Sequence, residues 1–269
     1  MTQMTRTVTA HVTCQVNQPA EMVWSVAAAH GPVTSDEDLT MTSNGEPLVY
    51  DEIAADEGTR LHVVRGVPAG PFELTYKAVV EGHGPEAGFS TLHDIVYRRP
   101  SRYCDSDTLA AVATAEFGAL EGKELVDAVS SWVGVQLAYV SGSSRPTDGA
   151  VQTFLQRQGV CRDFAHLVIA LLRARNMPAR LVSVYAPGLD PMDFHAVAEA
   201  YVDGAWHVVD ATSLAPRQTM LRIATGADAS DTAFLTVHSG LVELGMVEVT
   251  AVVDPELPAD DATRLVRLS

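Results

Sequence analysis

The chain has 269 residues, 47% apolar and 19% charged, with a formal net charge of −16. That balance excludes a disordered chain and leaves room for one large or two ordinary domains. Acidic residues are scattered rather than gathered in a tail, which favours solubility and argues against nucleic acid or an anionic membrane as partner.

The cysteines, Cys14, Cys104 and Cys161, are odd in number and lack a CxxC spacing, so neither a disulfide framework nor a thiolate zinc site is expected. Residues 1–16 alternate polar and apolar side chains instead of forming the apolar core of a signal peptide. No run of ~18 apolar residues occurs, and a reducing cytoplasm is the expected setting.

Up to about residue 100 the sequence reads as β structure. Residues 7–16, 61–67 and 72–80 alternate in polarity, separated by turn-rich runs such as Ser43-Asn44-Gly45 and Pro68-Ala69-Gly70-Pro71. Val23, Val26, Leu48, Ile53 and Leu61 are the expected inward residues of a sandwich or small barrel. After Arg99-Pro100 the pattern turns helical, at 108–120 and 123–140, followed by a loop at 141–146. Asp148 is the expected cap of a helix reaching Gln158, with Gly159 as its left-handed stop. A second apolar helix opens at Cys161 and stops at Asn176-Met177-Pro178, because proline cannot continue the hydrogen-bond ladder. Strand-like runs follow at 180–185, 195–202 and 205–212, with more at 220–224 and 247–253. Two domains are expected, at 1–104 and 105–269.

Cys161 at a helix start would meet unpaired N–H groups that favour a thiolate and could also bind an oxyanion. A buried structural cysteine fits that position equally well. The hairpin around Asp203-Gly204 separates the two readings. With that dipeptide as a two-residue turn, Val202 faces Ala205 and Asp210 faces Val197. His195 and Asp210 then share one sheet face as diagonal neighbours with Cα atoms roughly 7 Å apart. A carboxylate there would fix the imidazole tautomer while the other ring nitrogen serves Cys161.

The run Gly159-Val160-Cys161-Arg162-Asp163-Phe164-Ala165-His166-Leu167 resembles the nucleophile motif of bacterial transglutaminase-like proteins. Phe194-His195-Ala196 and Trp206-His207-Val208-Val209-Asp210-Ala211-Thr212 resemble the family's histidine and aspartate strands. The resemblance covers roughly residues 95 to 250. It implies an α+β fold: a β-sandwich-like N-terminal domain followed by a papain-like transglutaminase core of helices packed on an antiparallel sheet. It also implies Cys161 as nucleophile, His195 as base and Asp210 as orienter. Val197 is a departure, where relatives often carry tryptophan.

Arg162, Asp163 and His166 read as structural, and Asp228 and Asp231 as helix caps. Trp132, Gln136 or Tyr139, all placed on the preceding helix, could supply a second oxyanion donor. Gly82, Gly84 and Gly88 miss the dinucleotide spacing, no GxSxG elbow surrounds Ser143, and no residue cluster has metal-ligand spacing. No cofactor and no metal are expected. The expected chemistry is acyl transfer from an amide or peptide through a thioester, with water as the favoured acceptor. A protein cross-linking transamidase, a non-catalytic binding module on the same fold and homo-oligomerisation stay open.

Overall fold

A computed structural model describes residues 4–268; Met1, Thr2, Gln3 and Ser269, the outer ends of the two expected domains, lie outside the described residues. The strands of the front half are β1 (Thr5–Trp24), β2 (Val33–Ser43), β3 (Glu46–Pro47), β4 (Asp51–Ala54), β5 (Arg60–Val67) and β6 (Gly70–Glu81). After α1 (Thr91–Val96) come α2 (Ala110–Phe117), α3 (Gly122–Gln136), β7 (Ala138–Tyr139), α4 (Ala150–Gln156), β8 (Gln158–Gly159) and α5 (Cys161–Ala174). The chain continues through β9 (Ala179–Tyr185), β10 (Phe194–Val202), β11 (Ala205–Val209), β12 (Leu221–Gly226), α6 (Ala229–Thr232) and β13 (Leu235–Asp254).

The front half is one seven-stranded antiparallel sheet in the order β3-β2-β6-β1-β5-β4, with β13 on the remaining edge of β1. The period-two pattern of β1 sends Val8, Ala10, Val12, Cys14 and Val16 inward. Residues 5–16 pair with β6 and residues 20–24 with β5. Register shifts along β1 bend the strand and curl the sheet. Of the five residues expected inside, Val26 is buried, whereas Ile53 on the short edge strand β4 is 46% exposed.

The boundary drawn at residues 104 and 105 does not divide the sheets, since β13 lies within 105–269 and pairs along β1. Nor do the two halves keep separate cores. Tyr185, Leu221 and Ile223 of the second sheet pack in one apolar cluster with Trp24, Phe72 and Tyr76 of the first. The Tyr185 hydroxyl donates to the Val26 carbonyl at 2.8 Å, a bond that crosses between the halves.

The second sheet, ordered β11-β10-β9-β12, is antiparallel throughout. The hairpin pairs Val202 with Ala205 and Ala198 with Val209, the register expected from the Asp203-Gly204 turn. Ala198, Ala200 and Val202 pack on α5, while Val182, Val184, Val197 and Val208 meet Leu268 on the opposite face. The sheet is therefore covered on both sides. α5 is buried nearly all round, as befits a central helix, with Leu167, Val168, Ile169 and Leu171 fully buried and the polar Asp163, His166 and Arg173 also inside. It ends with Asn176 in a left-handed conformation (φ 63°) ahead of Met177-Pro178.

The helix before α5 is shorter than its sequence suggests. It is capped by Gly149 rather than Asp148, and its left-handed stop is Arg157 (φ 58°), not Gly159. Gly159 is extended and pairs with Tyr139. Its hydrogen is required for another reason: a Cβ there would sit 2.6 Å from Cβ of Asp163.

Ile169→Ala should cost about 2–5 kcal/mol, read from urea unfolding. Because the two sheets share a core, unfolding followed by far-UV circular dichroism and by tryptophan fluorescence should give coincident curves. Two separate midpoints would show that the sheets fold independently.

Candidate active site

Cys161 is the first residue of α5 and is half-buried. The helix start is held by its third residue, Asp163, whose carboxylate accepts the Val160 N–H at 2.9 Å and the Ser144 hydroxyl at 2.9 Å. Arg162 donates to the same carboxylate at 3.1 Å and to the Arg145 carbonyl at 2.9 Å. Arg162 and Asp163 thus tie the 141–146 loop to the helix start. The first turn of a helix leaves N–H groups without intrahelical partners, and Cys161 sits in that turn.

His195 and Asp210 meet as the hairpin register requires, with Nε2 of His195 3.0 Å from Oδ2 of Asp210. The route differs from the expected one. The ladder stops at Ala198–Val209, because Asp210 Oδ1 accepts both the Thr212 N–H (2.9 Å) and the Thr212 hydroxyl (2.7 Å). That local turn ends β11 and pins the carboxylate. The imidazole is only 2% exposed and the aspartate 8%. Burial alone would lower the His195 pKa, but the Asp210 charge and hydrogen bond, with help from the Cys161 thiol, lift it to about 10. Burial would raise the Asp210 carboxyl; the facing imidazole and the Thr212 donors bring it below its ordinary value. Nδ1 of His195 has no regular hydrogen-bond partner, so the influence of Cys161 on the ring is that of a neighbour not in ideal bonding geometry.

Cys161 and His195 line one cavity of about 350 Å³, whose other walls include Leu181, Phe194 and Ile223. The remaining cysteines, Cys14 and Cys104, are buried. Burial pushes the Cys14 thiol up to about 11, against the pull of the Gly245 N–H, and the Cys104 thiol up to about 12.

A model of the transglutaminase-like superfamily core matches residues 110–211, a span containing Cys161, His195 and Asp210. A protein of Cytophaga hutchinsonii, provisionally assigned as a cysteine protease, has a similar solved structure with a TM-score of 0.88 at 32% identity. That match covers 97% of this chain and 94% of the other. The chain belongs to the transglutaminase-like superfamily. Members of this superfamily are generally cysteine enzymes, and some are non-catalytic. An uncharacterised Mycobacterium leprae protein is 28% identical over 152 residues, 53% of this chain and 54% of the relative. A Mycobacterium tuberculosis protein is 39% identical over 74 residues, 26% of this chain and 24% of the relative. The chain thus spans about half the length of the first of these relatives and a quarter of the second.

Within this transglutaminase-like site, the three candidate oxyanion donors separate. Trp132 stacks on Phe154 with ring centroids 6.2 Å apart, and Gln136 is exposed at the end of α3. Tyr139 is not on that helix. Its strand pairs parallel with β8, the short strand that leads into α5, which places it against Cys161. Burial, then the adjacent Cys161 sulfur, pushes its phenol up to about 12, against the pull of the Cys161 backbone N–H. His166 is fully buried, stacks on Tyr103 at 5.3 Å and accepts the Ala229 N–H at 3.2 Å. Burial lowers it to about 3, so it is a neutral acceptor. Asp228 caps α6 through the Ser230 N–H and also accepts the Tyr103 N–H, while Asp231 accepts the Ala227 N–H. Asp193, which also lines the cavity, escaped the sequence reading; its position two residues before His195 was the available signal. Among the described residues no group of three potential ligands is arranged to hold a metal, and no helix is long and apolar enough to cross a membrane.

The His195–Asp210 pair predicts a pH signature. The imidazole is raised from 6.5 to about 10, so its share of the stabilisation is complete below about pH 6.5 and is lost as pH rises towards 10. The aspartate is depressed, so its share is lost as pH falls through the acid range. Asp210→Asn should therefore lower unfolding stability most near pH 6, with the gap to wild type closing towards pH 10. A gap that widened with rising pH would contradict the assignment.

Proposed function

We propose that this protein cleaves an amide or peptide bond by transferring the acyl group to Cys161 and then to water. The observation that carries this reading is the 3.0 Å bond holding His195 to Asp210 beside the cavity that contains Cys161. In this reading the Cys161 thiolate attacks the carbonyl carbon, and the electron pair of the C=O bond moves to oxygen. The Cys161 N–H and the Tyr139 phenol donate to that oxyanion. Collapse of the adduct breaks the C–N bond, and the His195 imidazolium gives its proton to the departing amine. The imidazole, now neutral, takes a proton from water as the water attacks the thioester. The acid leaves and Cys161 departs as thiolate beside a recharged imidazolium. Asp210 keeps the ring oriented and steadies its charge without being protonated.

Water is favoured over an amine because the similar Cytophaga hutchinsonii protein is provisionally assigned as a protease. An amine in place of water would make the same steps a transamidation.

Cys161→Ala should abolish turnover of a peptide amide. Iodoacetamide should label Cys161 well before the buried Cys14 and Cys104, as read by peptide mass spectrometry. Equal labelling of the three would remove the nucleophile. Tyr139→Phe should leave that labelling in place and lower kcat by about 10²–10³; an unchanged kcat would remove Tyr139 from the oxyanion site.

A further inference from the structure

The acids packed around the candidate site differ in how completely they are occupied. Asp163 is filled by Arg162, Ser144 and the Val160 N–H, Asp210 by His195 and Thr212, and Asp228 by the Tyr103 and Ser230 N–H groups. Asp193 is the exception. Its Oδ1 accepts the Phe194 N–H at 2.7 Å, which fixes the carboxylate at the start of β10. Among the described residues no lysine or arginine forms an ion pair with it. The carboxylate nevertheless lines the cavity holding Cys161 and His195, and its charge reaches both Tyr139 and His195.

Shielding by its neighbours raises the Asp193 carboxyl, only partly offset by the Phe194 N–H and the nearby imidazole. A carboxylate held in that state gains from a cation supplied by a ligand. The one arginine on the cavity wall, Arg162, is committed to Asp163 and the Arg145 carbonyl. We propose that Asp193 recognises a primary ammonium group on the molecule bound next to Cys161, making the site selective for cationic substrates. The inference rests on acyl transfer at Cys161, and it adds a charge preference that the reaction itself does not demand. The ammonium can belong to the acyl donor, as in a lysine-like side chain, or be the second, non-reacting amine of a diamine that accepts the acyl group through its neutral end. Asp193 is a surface residue, so the preference is modest and weakens with salt.

The full chain is tested with two small alkylating probes, neutral chloroacetamide and N-(2-aminoethyl)chloroacetamide, with rates read at Cys161 by mass spectrometry. The ratio of cationic to neutral rate should fall by roughly three- to tenfold in Asp193→Asn. It should not fall in Glu243→Gln, which removes an exposed acid on β13 and so controls for overall charge. Equal falls in both variants, or preferences that Asp193→Asn leaves unchanged both here and in the amine-capture arm below, overturn the proposal. A second arm forms the acyl-enzyme from neutral p-nitrophenyl acetate and compares capture by 1,5-diaminopentane and by pentylamine. A loss of preference in this arm alone places the ammonium on the acceptor, and a loss in the first arm alone places it on the donor. A third arm titrates Cys161→Ala with N-acetyl-lysine amide and N-acetyl-norleucine amide by NMR. A lysine preference that vanishes in Cys161→Ala/Asp193→Asn supports the inference even if Cys161 proves unreactive, a result that would defeat the proposed reaction alone. No lysine preference in Cys161→Ala overturns the inference.

Discussion

The site depends on a charged pair kept in a nearly dry place. His195 and Asp210 are 2% and 8% exposed, and a pair so placed is tolerable only when each partner's hydrogen-bonding capacity is directed. Asp210 satisfies one oxygen with Thr212 and offers the other to Nε2 of His195. The same Thr212 contacts end β11 one residue before Asp210, which frees the carboxylate from the ladder. Burial of the pair in turn requires both faces of the second sheet to be covered. α5 covers one, and the chain around Leu268 covers the other.

A second buried charge cluster sets the position of that sheet against the front half. Glu199, one face-repeat along β10 from Val197, binds Arg180 at 2.8 Å and Arg222 at 2.6 Å. Burial would raise its carboxyl, but the two guanidinium groups bring it down to about 2. Arg180 also reaches Glu57 of the front half at 3.0 Å and lies 3.9 Å from the Trp206 ring centroid. Such clusters cost desolvation and add little net stability, but they penalise misplacement heavily, since a displaced member leaves a bare buried charge. The cluster and the shared apolar core make the front sheet part of the scaffold that holds β10, and with it His195, in place.

Much of this was legible locally. The start of α5 at Cys161, its stop before Pro178 and the hairpin register all follow from signals within a few residues. The pairing of His195 with Asp210 follows from that register by arithmetic. Other features depend on contacts that lie far apart in sequence. The 20-residue β13 pairs with β1, so its few apolar alternations gave only the stretch 247–253, and nothing near residue 235 signals where it goes. Tyr139 looked helical because the apolar run of α3 continues into it, whereas its strand exists only by pairing with Gln158 and Gly159. Gly159 read as a left-handed stop because glycine usually is one; here the close approach of Asp163 is what excludes a side chain. The sheet face carrying His195 would pass for a solvated one on polarity alone. It is buried because the chain around Leu268 covers it, and Glu199 is tolerated there because it brings its own partners.

The most direct test of the account is an NMR pH titration of the His195 ring, assigned by comparison with His195→Gln. The account predicts an imidazole that stays protonated well above pH 7, with an apparent pKa near 10 in the wild type and a clear fall in Asp210→Asn. A His195 ring titrating near its ordinary value of 6.5, with no change on loss of the Asp210 charge, would contradict it.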